Sequence, residues 1–218
     1  DCLTKAVAKV NEMKPDAVVF TGDQVNRHYD AEQWDSFAEV ISAIDPSVEV
    51  LHIPGNHDVM ISEGAVDSSP FTDRYGDDRF LLCERGVRLV GINSNLIKYD
   101  DPRETEQLEW MKDALKKKDA SEVSLLFSHH PFFLKEIGED DGYFQIQKSK
   151  RQTYFDLCAE SDVDALYAGH LHNNSSGDYS GIPVRTTTSV AFQIGDAQPS
   201  IRVITIADGV ISDRLLNI

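Results

Sequence analysis

An α/β sandwich is the fold this chain predicts, on three observations. Apolar runs of strand length alternate with amphipathic stretches of helical period through the first half. The last third turns to short β-rich runs and closes on Asp208-Gly209, set between the apolar runs 201–207 and 210–216, a strong hairpin signal. Four short polar stretches, Gly22-Asp23, Gly55-Asn56-His57-Asp58, Ser128-His129-His130-Pro131 and Gly169-His170-Leu171-His172, each follow an apolar run. Mixed sheets flanked by helices in one domain of 218 residues are the architecture these features imply.

Leu3, Val7, Val10 and Met13 share one helical face, and Lys14-Pro15 ends that helix because proline supplies no N–H and restricts the residue before it. The run 17–20, Ala-Val-Val-Phe, is continuous, as expected of a strand covered on both faces. Asp30 with Gln33 resembles a capping box, followed by Trp34, Phe37, Val40, Ile41 and Ile44 on a second helix closed by Asp45-Pro46. The run 48–53 is the next strand, so this order implies parallel strands with a right-handed crossover. Residues 60–80 read as an irregular loop with a short helix. Runs 80–82 and 87–92 are strands around a Glu84-Arg85-Gly86 turn, where Gly86 is free to take positive φ. Residues 104–118 form a helix with Leu108, Met111 and Leu115 inward, 123–127 a strand, 138–142 an exposed acidic loop, 148–159 a helix and 165–168 a strand.

A net charge of −16 disfavours nucleic acid and anionic membranes as general partners. No apolar run approaches the roughly 20 residues that span a bilayer. Cys2, Cys83 and Cys158 are odd in number and widely spaced, so they suggest neither a disulfide framework nor a zinc pair; a reducing, cytoplasmic compartment fits them. The chain begins inside an amphipathic pattern, which leaves room for a leader upstream.

In open α/β sheets ligand sites gather beyond the carboxyl ends of strands, so the four polar stretches can meet there. Each alone has a plainer reading. Gly22-Asp23 is commonly a turn, Gly55-Asn56-His57-Asp58 a turn with local amide bonds, and one of His129 and His130 a packed histidine. His170 and His172 alternate and in a strand would point to one side. Together they make a metal site. Imidazoles with carboxylate and amide oxygens, and no thiolate, suit manganese, iron or zinc. Two nearby cations repel, so a carboxylate between them is expected, with Asp23 the candidate; Asn56 offers a neutral oxygen, and His129, His170 and His172 offer nitrogens. His28 and His52 lack such a context and read as surface or packing residues.

In these stretches the chain resembles the calcineurin-like metallophosphoesterases, which include purple acid phosphatases and protein Ser/Thr phosphatases. Residues 137–144, 148–150 and 169–174 and the closing hairpin resemble, more narrowly, a single-domain group whose animal member is described as a cytosolic Ser/Thr phosphatase. The resemblance implies a metallophosphoesterase-type sandwich and two divalent or transition metal ions. Asp23 would bridge them. Asn56, His129 and His170 would complete one site, with His129 preferred because the family ligand precedes the proline by two residues; His172 would serve the other. His57 would face the phosphate and stabilise or protonate the leaving oxygen, with Asp58 its orienting partner.

Two departures stand out. The family opens with a strand ending in Asp-x-His, or Asp-x-Gln in the narrower group. That strand is absent before Asp1, so a fragment of a longer protein is expected, with a weak first site of Asp23 and His172. Asn26 stands where many family phosphatases carry Asp, which bears on how the neighbouring loop is held. The activity implied is hydrolysis of a phosphomonoester on a protein or small molecule. Its rivals are cleavage of a cyclic nucleotide or glycerophosphodiester, and a metal-binding module that has lost turnover. Tyr143 and Phe144 are expected to border the site, and Lys148, Lys150 and Arg151 to attract an anionic substrate or, more plainly, to form a solvated face. Oligomeric state leaves no trace in the sequence.

Overall fold

The computed structural model describes residues 1–117, 119 and 122–218. The chain runs α1 (Cys2–Met13), β1 (Ala17–Phe20), α2 (Ala31–Ile41), β2 (Glu49–His52), β3 (Met60–Ser62), β4 (Ala65–Asp67), α3 (Ser69–Tyr75), β5 (Phe80–Glu84), β6 (Val87–Gly91), α4 (Ser94–Lys98), α5 (Glu104–Ala114), β7 (Val123–Ser128), α6 (Lys148–Glu160), β8 (Ala165–Ala168), β9 (Ser175–Tyr179), β10 (Ile182–Thr186), β11 (Ser200–Ala207) and β12 (Val210–Asn217). The segment expected to be an irregular loop with a short helix holds that helix as α3, and the β3–β4 hairpin in place of an irregular loop before it. Lys118, placed at the end of the α5 helix by sequence, lies outside the described residues.

A six-stranded sheet ordered β5-β6-β7-β8-β10-β9 has parallel inner strands and an antiparallel strand at each edge. β1 pairs β2 in parallel, and β11 pairs β12 around Asp208-Gly209, both at positive φ as a primed turn requires. Period-two alternation builds the layers. Val18, Phe20 and Val50 pack with Val7 and Val10 of α1 and Ile44 beyond α2, while Val19 faces the large sheet and meets Leu125, Phe127 and Tyr167. Ile204, Ile206 and Ile211 of the closing hairpin join that inner layer. On the far face Val90, Leu126 and Leu166 pack against Met111 of α5 and Phe155 and Cys158 of α6. The parallel core strand β7 is buried at all six positions, in keeping with its unbroken run.

β1 departs from expectation. All four of its residues are only half-buried. It pairs β2 on one side, and a cavity of about 810 Å³ borders it; β11 residues, α1 side chains and, at one end, His129 and His172 line the same space. α2 begins at Asp30, whose carboxylate accepts from the Glu32 and Gln33 N–H groups. The Gln33 side chain does not close a capping box; its Oε1 accepts from the Asn26 and Arg27 N–H groups at 2.8 and 3.1 Å, fastening the loop after Asp23 to the helix.

His52 is a packing residue, stacked between Phe20 at 5.0 Å and Tyr75 at 4.1 Å. Burial pulls its pKa down to about 4, and its Nδ1 has no partner. A histidine whose folded pKa lies below its unfolded value adds stability above the unfolded value, near 6.5, and loses it as pH falls through the folded one. Acid unfolding followed from pH 7 to 4 is therefore expected to lose about 2–3 kcal/mol through His52. His52→Phe, which keeps the stack, should flatten that limb and leave stability at pH 7 equal or higher; an unchanged slope would refute the assignment.

Candidate metal centre

The loops after β1, β2, β7 and β8 converge at one end of the sandwich. Gly22 and Gly55 let the first two touch. A Cβ on Gly55 would lie 2.1 Å from Asp23 Oδ1, and one on Gly22, at φ 98°, would lie 2.4 Å from Gly55 N. Asp58 braces the same junction. Its buried carboxylate accepts from the N–H groups of Asp23 (2.7 Å), Gly55 (2.8 Å) and Val25 (3.1 Å). Burial and the Asp23 charge push its carboxyl up while these donors pull it down. Asn95 at the start of α4 adds bonds from Nδ2 to the Pro54 and Gly55 carbonyls, both 3.2 Å.

Within this frame Asp23 sits at φ 57°, and its Oδ1 accepts the His57 N–H at 3.0 Å. Its Oδ2 lies 3.4 Å from His129 Nε2 and 4.0 Å from His172 Nε2. Burial alone would raise the Asp23 carboxyl, but the His129 imidazole, the His172 bond and the His57 N–H hold it well below the carboxylate range.

His129 is buried, and its Nδ1 lies 2.8 Å from the Thr21 carbonyl, an acceptor, so the proton sits on Nδ1 and Nε2 carries a lone pair. Around Nε2 gather Asn56 Oδ1 at 3.1 Å, His170 Nδ1 at 3.0 Å and Asp23 Oδ2. His170 can place one proton among these atoms. The oxygens of Asn56 and Asp23 then still face an unprotonated nitrogen, and His170 Nε2 is a buried atom without a partner. A cation resolves the crowding of lone pairs, and the ring N–H to a backbone carbonyl is how ligating histidines are usually oriented. Burial drives the imidazolium forms of His129 and His170 down, the latter to about 3, keeping both neutral.

His172 repeats the pattern. Its Nδ1 is 2.8 Å from the Phe192 carbonyl, leaving Nε2 toward Asp23; the Asp23 hydrogen bond raises its pKa, partly against burial. The residues present therefore fit metal, with Asp23 Oδ2 common to two ligand groups. His170 and His172 do not lie on a strand. They follow β8 in a turn, at φ 60° and 51°, so convergence comes from left-handed backbone and not from alternation.

Several expectations are corrected. Asp58 does not orient the His57 ring: its oxygens bind three backbone donors, and His57 Nδ1 lies 3.0 Å from the Asn26 carbonyl. The main chain of Asn26 thus supplies the bond, whatever its side chain. Lys150 pairs with Asp100 (2.8 Å) and Glu104 and donates to the Ile97 carbonyl. Arg151 is fully buried and donates to the carbonyls of Ile137, Glu139 and Ile146. Both act as fasteners and not as anion attractors. Tyr143 and Phe144 do border the centre, their ring centroids 5.3 and 5.6 Å from that of His170. The sequence set His130 aside, yet its ligand atom falls within 4.8 Å of those of His129 and His170. Its Nδ1 is 3.0 Å from Ser94 Oγ, which secures the ring against α4. Asn95, the Thr21 carbonyl and the Phe192 carbonyl gave no sequence signal, because each acts through a long-range bond.

A family model of calcineurin-like phosphoesterases matches residues 1–174. The chain is 30% identical over 222 residues to a serine/threonine-protein phosphatase, CPPED1, of Bos taurus, with 96% of this chain and 71% of that protein covered. It is 26% identical over 192 residues to a probable cyclic nucleotide phosphodiesterase of Rhodococcus erythropolis, covering 82% of this chain and 58% of that one. The fold is similar to the crystal structure of a dimetal phosphatase from Danio rerio, with a TM-score of 0.64 at 19% identity, 87% of this chain and 77% of that one being covered.

Proposed function

The chain belongs to the calcineurin-like phosphoesterase family, and from that premise we propose that it hydrolyses phosphomonoesters, phosphoserine and phosphothreonine of proteins among them, with two transition metal ions. Hydrolysis of phosphoric esters with divalent metal ions is the family's chemistry. The observation that carries the finer reading is the position of Asp23 Oδ2 between His129 Nε2 and His172 Nε2. Asn56, His129 and His170 would hold one ion with Asp23, and His172 the other with Asp23. Bound there, the ions supply Lewis acidity to the phosphoryl oxygens and lower the pKa of the attacking water.

The chain's own contribution is orientation and one proton. His57 is exposed, its N–H fixed on Asp23 Oδ1 and its Nδ1 on the Asn26 carbonyl, which leaves Nε2 for the substrate. We assign it to the leaving oxygen as general acid. His57→Ala in the manganese-loaded protein is expected to lower kcat on a phosphopeptide by about 10²–10⁴-fold with both metal equivalents retained. Unchanged turnover would remove the role. A diester assayed beside the phosphopeptide tests the second reading, which the Rhodococcus relative favours; faster turnover of the diester would replace the first.

The half-buried β1 and the cavity between it and β11 bear on the first metal site. We infer that a strand outside residues 1–218 fills this space, pairing with both edges and bringing further ligands to the Asp23 and His172 end. In a protein that carries it, the β1 amides should be protected from hydrogen exchange; rapid exchange at 17–20 would refute the inference.

A further inference from the structure

Two aromatic rings stand in solvent beside the histidines of the centre, and the chemistry above uses neither. Tyr143 is 64% exposed, with its ring 5.3 Å from that of His170. Phe192 is also 64% exposed, with its ring 5.5 Å from that of His172. An exposed aromatic ring costs hydration free energy, and one held in place at a ligand site is a ready contact surface.

Both are held. The Tyr143 segment is tied to the body by buried Arg151 and by Lys98 Nζ donating to the Gly142 carbonyl at 2.9 Å and to the Gln145 carbonyl at 2.5 Å, and it is closed on itself by Gln145 Nε2 donating to the Asp140 carbonyl at 3.0 Å. Phe192 is fixed by the bond that orients a metal-binding histidine. Its carbonyl accepts the His172 Nδ1–H at 2.8 Å, and the next turn returns through the Ile194 N–H to the His172 carbonyl at 2.9 Å. Charge beside the rings narrows the ligand. Asp140 and Asp141 are exposed on the Tyr143 segment; Lys98 and two of the Arg151 nitrogens point at main-chain carbonyls, and Arg151 Nη2 lies 3.7 Å from Asp141 Oδ1, which leaves Asp140 as the less compensated charge. An ester group with further negative charge is disfavoured beside Tyr143, and an apolar one is favoured.

We propose that Tyr143 and Phe192 are specificity-determining residues that bind an aromatic or other large apolar group of a phosphomonoester beside the histidines of the centre. This rests on the phosphomonoesterase reading. The test uses manganese-loaded protein, with the ratio of kcat/KM for phenyl phosphate to that for glycerol 2-phosphate. In parallel, calorimetry gives the ratio of affinities for phenylphosphonate and methylphosphonate, which are not turned over. Tyr143→Ala and Phe192→Ala are each expected to lower both ratios about 3- to 10-fold, mainly through KM, the range aromatic contacts contribute. Tyr143→Phe and Phe192→Tyr, which keep the rings, should restore them. Ratios unchanged in the alanine variants, or lost equally in the ring-keeping ones, would overturn the proposal. If the unaltered protein turns over no ester, the hydrolytic reading fails instead, and the phosphonate ratios still decide whether the rings bind an apolar group.

Discussion

Replacing Asp23 by alanine is expected to lower kcat/KM for a phosphomonoester by at least about 10³-fold, roughly 4 kcal/mol of transition-state stabilisation. Bound metal should fall from two equivalents to one or none. One oxygen, Oδ2, faces both His129 and His172, so its removal weakens both ligand groups together. The other oxygen anchors the His57 N–H, so the residue proposed as general acid loses its tether in the same step. Stability should move the other way. Asp23 and Asp58 are neighbouring carboxylates, and without metal their repulsion is relieved only by histidines and N–H donors. The metal-free variant is therefore expected to melt no lower than its parent, as for a residue kept for function at some expense of stability. The comparison is metal content, melting temperature with and without manganese, and steady-state rates. Activity within tenfold of the parent at saturating manganese would show that Asp23 is not shared between two ions.

Local signals predicted most of the elements. The α1 stop at Lys14-Pro15, the buried run of β7 and the Asp208-Gly209 turn are decided within a few residues, where periodicity, proline geometry and turn chemistry dominate. The β3–β4 hairpin was not legible. Its strands are three residues each, and Val66 is the buried residue of the pair, too short a pattern to stand out from the polar sequence around it. Ile44 shows another limit: its helical spacing extends the pattern past the end of α2, and it is buried in the turn beyond.

At the site, the residue types were legible and their contacts were not. Asp23, Asn56, His129, His170 and His172 do assemble, because strand ends gather in this class of fold. The orienting partners are mostly main-chain carbonyls, those of Thr21, Asn26 and Phe192, and a carbonyl has no letter in a sequence. Lys150 and Arg151 mislead for the opposite reason. Their letters suggest anion binding, whereas burial commits them to carbonyls and carboxylates that only the folded chain brings near.

Asp58 gives the sharpest separation between position in sequence and role in structure, and its replacement should have the largest effect on folding. Next to His57, it reads as the carboxylate that orients an imidazole. In the structure it lies beneath the loops, fully buried, and its two oxygens satisfy three N–H groups from both of them. In Asp58→Ala those donors remain buried without partners, at about 1–3 kcal/mol each before relaxation, so a loss of about 3–5 kcal/mol is expected in urea unfolding. Asp58→Asn separates the two roles. An amide oxygen at the Oδ2 position keeps the Asp23 and Gly55 bonds, while the NH₂ group opposes the Val25 N–H, so a loss of about 1–2 kcal/mol is expected. The repulsion on Asp23 is relieved in the same variant. A brace predicts that Asp58→Asn, folded at 25 °C, keeps kcat within about tenfold of the parent, because His57 still has the Asn26 carbonyl. An orienting partner predicts the reverse: a large fall in kcat at nearly unchanged stability. That outcome would return Asp58 to the catalytic group, and the bond between His57 Nδ1 and Asn26 would then be incidental.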